Sequence, residues 1–127
     1  LVAVGVAAVC AQSYRANHRS QERWVRERAH VAYIDSRKGH LGVSLSPPER
    51  PLLGRNALYV ASLCENDLVW RAGVRQSDLL LDINGAPVPK TPGDAVARME
   101  ALADIELRYV AAEGESPPWR LLAWRAG

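Results

Sequence analysis

The chain has 127 residues, 48% of them hydrophobic and 24% charged, which allows one folded domain with an appendage and excludes a disordered chain. Its net charge of +2 is uneven: residues 1–40 carry +4 and the remainder −2, so the basic character is local and nothing points to nucleic-acid binding by the domain as a whole. Two cysteines, Cys10 and Cys64, make no disulfide framework and read as free thiols, and with Phe absent the core falls to Leu, Val, Ile and four Trp.

Residues 1–11, LVAVGVAAVCA, are apolar without a break but shorter than the roughly 20 residues a bilayer-spanning helix needs. Three readings stay open: the end of a transmembrane helix, a signal-peptide remnant, or a helix buried against a partner. The next stretch favours the membrane, with Arg15, His18 and Arg19, no acid before Glu22, and Tyr14 at the boundary. A solvated basic helix face would read the same way. Residues 12–29 lack Pro and Gly, and Glu22 precedes Arg26 by one helical turn. One long N-terminal helix is therefore predicted, running from an apolar anchor through a basic stalk over residues 1–28. Trp24 and Val25 break its polar surface and are expected to dock on the domain or on a neighbour.

At His30–Ser36 the pattern changes to alternation, a first strand. Arg37-Lys38-Gly39-His40-Leu41-Gly42 follows as a glycine-containing loop, then Val43–Leu45 as a second strand. Successive N–H groups turned to one point make an anion nest, and Gly permits the required angles. Ser46–Pro51, with three prolines, reads as a stiff connector. Ala57–Leu63 is a third strand, and Asn66 or Asp67 is placed to cap a short helix from Leu68.

Leu68–Gly85, LVWRAGVRQSDLLLDING, organises the rest of the chain. Ala72-Gly73 ends the helical turn and Gln76-Ser77-Asp78 makes a polar corner. Leu79–Ile83 is an apolar strand, and Asn84-Gly85 is a strong turn signal. Ala86–Val88 forms a short strand. Thr91 then caps a helix with Pro92 at its first position, running to about Leu102 with Val96, Met99 and Leu102 on one face. Ile105–Ala111 alternates as a strand with one wet face. Trp119–Trp124, beyond a Pro-rich turn, reads as an added strand or as contacts for a partner.

Ala72-Gly73, Asp78, Leu79–Leu81 and Ile83-Asn84-Gly85 resemble the centre of a PDZ domain, with Ser77 where that family commonly has Gly. The likeness extends over roughly Arg28–Ala112. It implies a mainly β fold with two short helices, a partly open β-barrel over residues 29–112. It also implies that the loop Lys38, Gly39, His40, Leu41, Gly42 and Val43 receives the terminal carboxylate of a partner's peptide tail. Leu45, Pro92, Val96 and Met99 would line the peptide groove between the second strand and the second helix. Many PDZ domains have His at the start of that helix, bonding a Ser or Thr of the ligand. Pro92 stands there in this chain, so an apolar tail is expected, with Leu41 and Val43 completing the pocket. The alternative is that these residues are plain core.

No catalytic constellation is legible. His18, His30 and His40 lack metal-ligand spacing, and neither a nucleophile motif nor a phosphate-binding loop occurs. Asp78 and Asp82 could be taken as a carboxylate pair, but the corner makes Asp78 a turn-stabilising residue first. The sequence therefore predicts a non-catalytic interaction and scaffold module, with no metal and no cofactor. Its expected setting is as an accessory subunit of a membrane-bound complex, with the mitochondrial inner membrane as one home for an Arg-rich, acid-poor start. The alternative is the substrate-recognition part of a membrane-associated protease.

Overall fold

A computed structural model describes residues 22–48 and 55–112. Residues 22–28 are helical (α1) and pass without a loop into β1, Ala29–Asp35. A single 3₁₀ turn at Ser36–Lys38 leads to β2, Val43–Ser46, and then β3, Leu58–Leu63. The helix α2, Leu68–Arg71, precedes β4, Leu79–Ile83, and the two-residue β5, Ala86–Pro87. The helix α3, Pro92–Ala101, is followed by β6, Asp104–Val110. The anchor, most of the expected stalk and the candidate strand at Trp119–Trp124 lie outside the described residues.

The strands form one antiparallel sheet in the order β1-β6-β4-β3-β2, with β5 beside β4. Among the described residues β1 and β2 are its two edges, and α3 packs against β2 while α2 packs near β1. Several local expectations hold. Asn84 and Gly85 both take positive φ, 51° and 80°, the angles a tight hairpin turn demands. Asn84 locks the turn, donating to the Asp104 carbonyl at 3.0 Å and accepting from the Glu106 N–H. Thr91 caps α3 by accepting from the Asp94 N–H, with Pro92 in the first turn. Ser77 occupies the left-handed region at φ 73°, where a glycine would sit without strain, so this corner holds its shape against a local penalty.

Asp78 explains why the corner persists. Its carboxylate accepts from the Arg75 N–H at 2.8 Å and from the Ala112 N–H at 2.9 Å, tying the corner to the end of β6. Burial nonetheless pushes this carboxyl above its ordinary value of 3.8, outweighing the two N–H donors that pull it down.

β4 is buried along its whole length because both faces of the sheet are covered there. A register shift between Leu80 and Asp82 breaks the simple alternation. Leu80 and Ile83 join the main core with Val60, Leu107 and Met99. Leu79 and Leu81 join a second cluster with Val110, Ala57, Trp24 and Val25. The two apolar exceptions of α1 thus dock on this same chain, 5% and 4% exposed, and the folded unit takes in residues on the N-terminal side of the expected boundary at residue 29. Further along that outer face Asp82 is held by Arg55 and by Arg108, the latter at 3.1 Å.

In β1 Ala32 and Ile34 face the main core, and Val31 and Tyr33 point outward, 46% and 75% exposed. Three further expectations need correction. The short strand after the hairpin turn ends at Pro87 rather than Val88, whose N–H bonds back to the Leu81 carbonyl while its side chain is buried. The last helix ends at Ala101, with Leu102 already extended as its C-cap. Asp67 is the N-cap of α2 but makes no side-chain capping bond. Its carboxylate lies against Gly42 instead.

Candidate functional site

The loop before β2 is pinned from one side. The His40 carbonyl accepts from the Leu68 N–H at 2.9 Å and the Leu41 carbonyl from the Val69 N–H at 3.2 Å. The Gly42 carbonyl accepts from the Cys64 N–H at 2.9 Å. All three carbonyls are therefore engaged by α2 and by the residue that follows β3. The N–H groups of His40, Leu41 and Gly42 donate to no acceptor among the described residues. Gly42 takes φ 65°, and a Cβ placed on it would lie 2.4 Å from Asp67 Oδ2. A row of donors with its carbonyls tied off on the far side is what an anion nest requires.

The residues that carry these donors line a cleft of about 350 Å³ between β2 and α3. Leu41, Val43 and Val96 give it apolar wall, and His40, Gly42, Ser44, Ser62, Cys64 and Glu100 complete it. Of these, Ser44, Ser62, Cys64 and Glu100 are not among the site residues expected from the sequence. Glu100 was legible in principle, since it stands one helical turn beyond Val96. Ser62 and Cys64 enter through the pairing of Val43 with Leu63, which one strand's sequence does not show.

The other expected site residues lie elsewhere. Leu45 and Met99, 6% and fully buried, belong to the main core and support the cleft from beneath without lining it. Pro92 begins α3 but is not among the lining residues. Gly39 is extended and sits 3.8 Å, by its would-be Cβ, from the Leu68 side chain. Lys38 lines a separate, larger hollow of about 740 Å³ with Arg71, Leu68 and Asp104. That hollow is roomier, but its charges are of both signs, and the backbone donors and β2 edge left unpaired among the described residues belong to the smaller cleft. Size alone is a poor guide where a strand edge supplies the binding groups.

Among the described residues no group of three His, Cys, Asp or Glu is disposed to hold a metal ion, and no helix is long and apolar enough to cross a membrane. Cys64 is a free, exposed thiol.

No protein-family model matches the sequence, and no curated protein matches it. The fold is similar to that of solved structures. One is the first PDZ domain of dmPar3, solved in complex with the dmPar6 PBM, similar at a TM-score of 0.52 and 17% identity. The match covers 65% of this chain and 93% of that one. An antiparallel sheet whose edges among the described residues are β1 and β2, α3 laid against β2, and that structural likeness together give one conclusion: residues 22–112 contain a PDZ-like fold.

Proposed function

We propose that this chain is a non-catalytic protein-interaction module that takes the C-terminal tail of a partner protein as an added strand along β2. The observation that carries the reading is the set of N–H groups at His40, Leu41 and Gly42 that are unpaired among the described residues, next to β2, an edge of the described sheet, with apolar walls at Leu41, Val43 and Val96. In this arrangement β2 supplies ladder hydrogen bonds to the tail, the loop holds its carboxylate, and the apolar wall takes its last side chain. The similar solved domain was captured with a partner's motif, which is consistent with a shared mode. Labelled C-terminal peptides measured by fluorescence polarisation test it. Saturable binding by an apolar-ending tail, lost by about tenfold or more on amidating its C-terminus, is the expected outcome. Equal binding of the amidated tail, or none by any tail, contradicts it.

The setting we propose is a membrane-bound assembly, with this chain as an accessory subunit tethered through residues 1–11. The mitochondrial inner membrane is the proposed home. Support comes from the unbroken apolar run and the acid-free basic stretch behind it. The full chain is expected to stay in the membrane fraction through a high-salt wash and to leave it in mild detergent. Release by salt alone contradicts the tether.

A further inference from the structure

Among the described residues the cleft carries one formal charge in an otherwise apolar and neutral polar lining. Glu100 stands on α3 beside Val96, exposed, with no ion-pair or hydrogen-bond partner among the described residues. Among the described residues no Lys or Arg lines the cleft with it. The nearest expected cation in sequence, Lys38, lines the other hollow with Arg71, and Arg98 reaches away to the Pro87 carbonyl. Asp67, packed on Gly42, adds a second negative charge behind the loop. A tail carboxylate arriving at the nest therefore enters a field of its own sign, and the N–H donors act without help from a basic side chain.

We infer that the cleft selects apolar-ending tails carrying a Lys or Arg within the few residues before the end, and that Glu100 is the specificity-determining residue. This rests on the tail-binding reading above. A cation on the tail would pair with Glu100 and offset the repulsion felt by the tail's own carboxylate. An acid at the same place would add a further like charge to a half-enclosed cleft, where screening by water is weaker than on an open surface. The partner chemistry is thus an apolar C-terminal residue preceded by a basic one.

The test uses the full chain and acetylated decapeptides ending in valine, with Lys, Gln or Glu placed in turn at each of the four preceding positions. At one position the Lys peptide is expected to bind about tenfold more tightly than the Glu peptide at low salt, with Gln between. The gap should narrow at high ionic strength. Glu100→Gln should shrink the preference, and Glu100→Lys should invert it. Both replacements keep a good helix former at an exposed site, and circular dichroism confirms that each variant folds. Equal affinity for Lys and Glu peptides at every position, or a preference that survives Glu100→Lys unchanged, overturns the inference while leaving tail binding intact. If valine-ending peptides bind regardless of charge and only amidation matters, the proposed function stands and the specificity falls. If none binds, both fall together.

Discussion

Replacing Gly42 by alanine is expected to weaken tail binding by about tenfold or more and to destabilise the fold by about 2 kcal/mol. Two independent penalties act at this position. The backbone is left-handed at φ 65°, which costs an L-residue roughly 1 kcal/mol. The new methyl would also sit 2.4 Å from Asp67 Oδ2 and 2.5 Å from Asp67 Cβ, closer than real atoms approach. A side-chain rotation moves the carboxylate but not the Cβ, so either the loop or the start of α2 must shift. That start is bonded to the loop through Leu68 and Val69, so a shift there disturbs the row of donors beside the cleft. The double variant Gly42→Ala/Asp67→Gly removes the contact and keeps the φ penalty. It should regain part of the stability and part of the affinity. Urea denaturation and peptide titration on the two variants separate the terms. Wild-type affinity in Gly42→Ala would mean that the loop does not hold the ligand.

Trp24→Ala is expected to lower stability by about 3 kcal/mol while changing peptide affinity less than about twofold. Trp24 is 5% exposed and packs in the outer cluster with Leu79, Leu81 and Val110, and the Arg28 guanidinium lies over its ring at 4.9 Å. Removing the indole opens a cavity on the sheet face opposite the main core and frees α1 from it. The cleft between β2 and α3 belongs to the other side of the molecule and keeps its support from Leu45 and Met99. Guanidinium or urea midpoints measure the first effect and the same peptide titration the second. A variant as stable as the parent would show that α1 does not contribute to the fold.

What the sequence reveals about this molecule follows the range of the interactions involved. Asn84-Gly85, Ala72-Gly73 and Thr91-Pro92 were readable because each is a local demand on φ or on a capping oxygen, met by residues a few positions apart. The apolar run Leu79–Ile83 was readable as a strand but not as one serving two cores. The register shift at Leu81 sends Leu79 and Leu81 to one cluster and Leu80 and Ile83 to the other, and only pairing with β6 fixes it. In β1 the alternation separates Val31 and Tyr33 from Ala32 and Ile34 but does not say which pair is inside. Ala32 and Ile34 face the main core.

The cleft shows the same limit. Its loop was found from Gly39-His40-Leu41-Gly42 and its far wall from the periodicity of α3. Helical spacing puts Met99 and Val96 on one face, yet Met99 is fully buried in the core while Val96 is half-buried, packing on the core and lining the cleft. Asp67 read as a cap because its position suits one, but its side chain spends its contacts on Gly42, a residue 25 positions away that no local rule links to it. Docking of Trp24 on β4 and β6 is longer in range still, and only the pair of apolar residues on a polar helix hinted at it.

The most direct measurement is a set of amide spectra recorded on the isotope-labelled chain as a valine-ending decapeptide is added, and again with its C-terminal amide. A tail seated as described shifts the N–H signals of His40, Leu41, Gly42 and Val43 most strongly, and the amide form leaves His40, Leu41 and Gly42 nearly still. Shifts centred on the exposed face of β1, around Val31 and Tyr33, with the 40–43 signals unmoved, would place the ligand elsewhere and contradict the account.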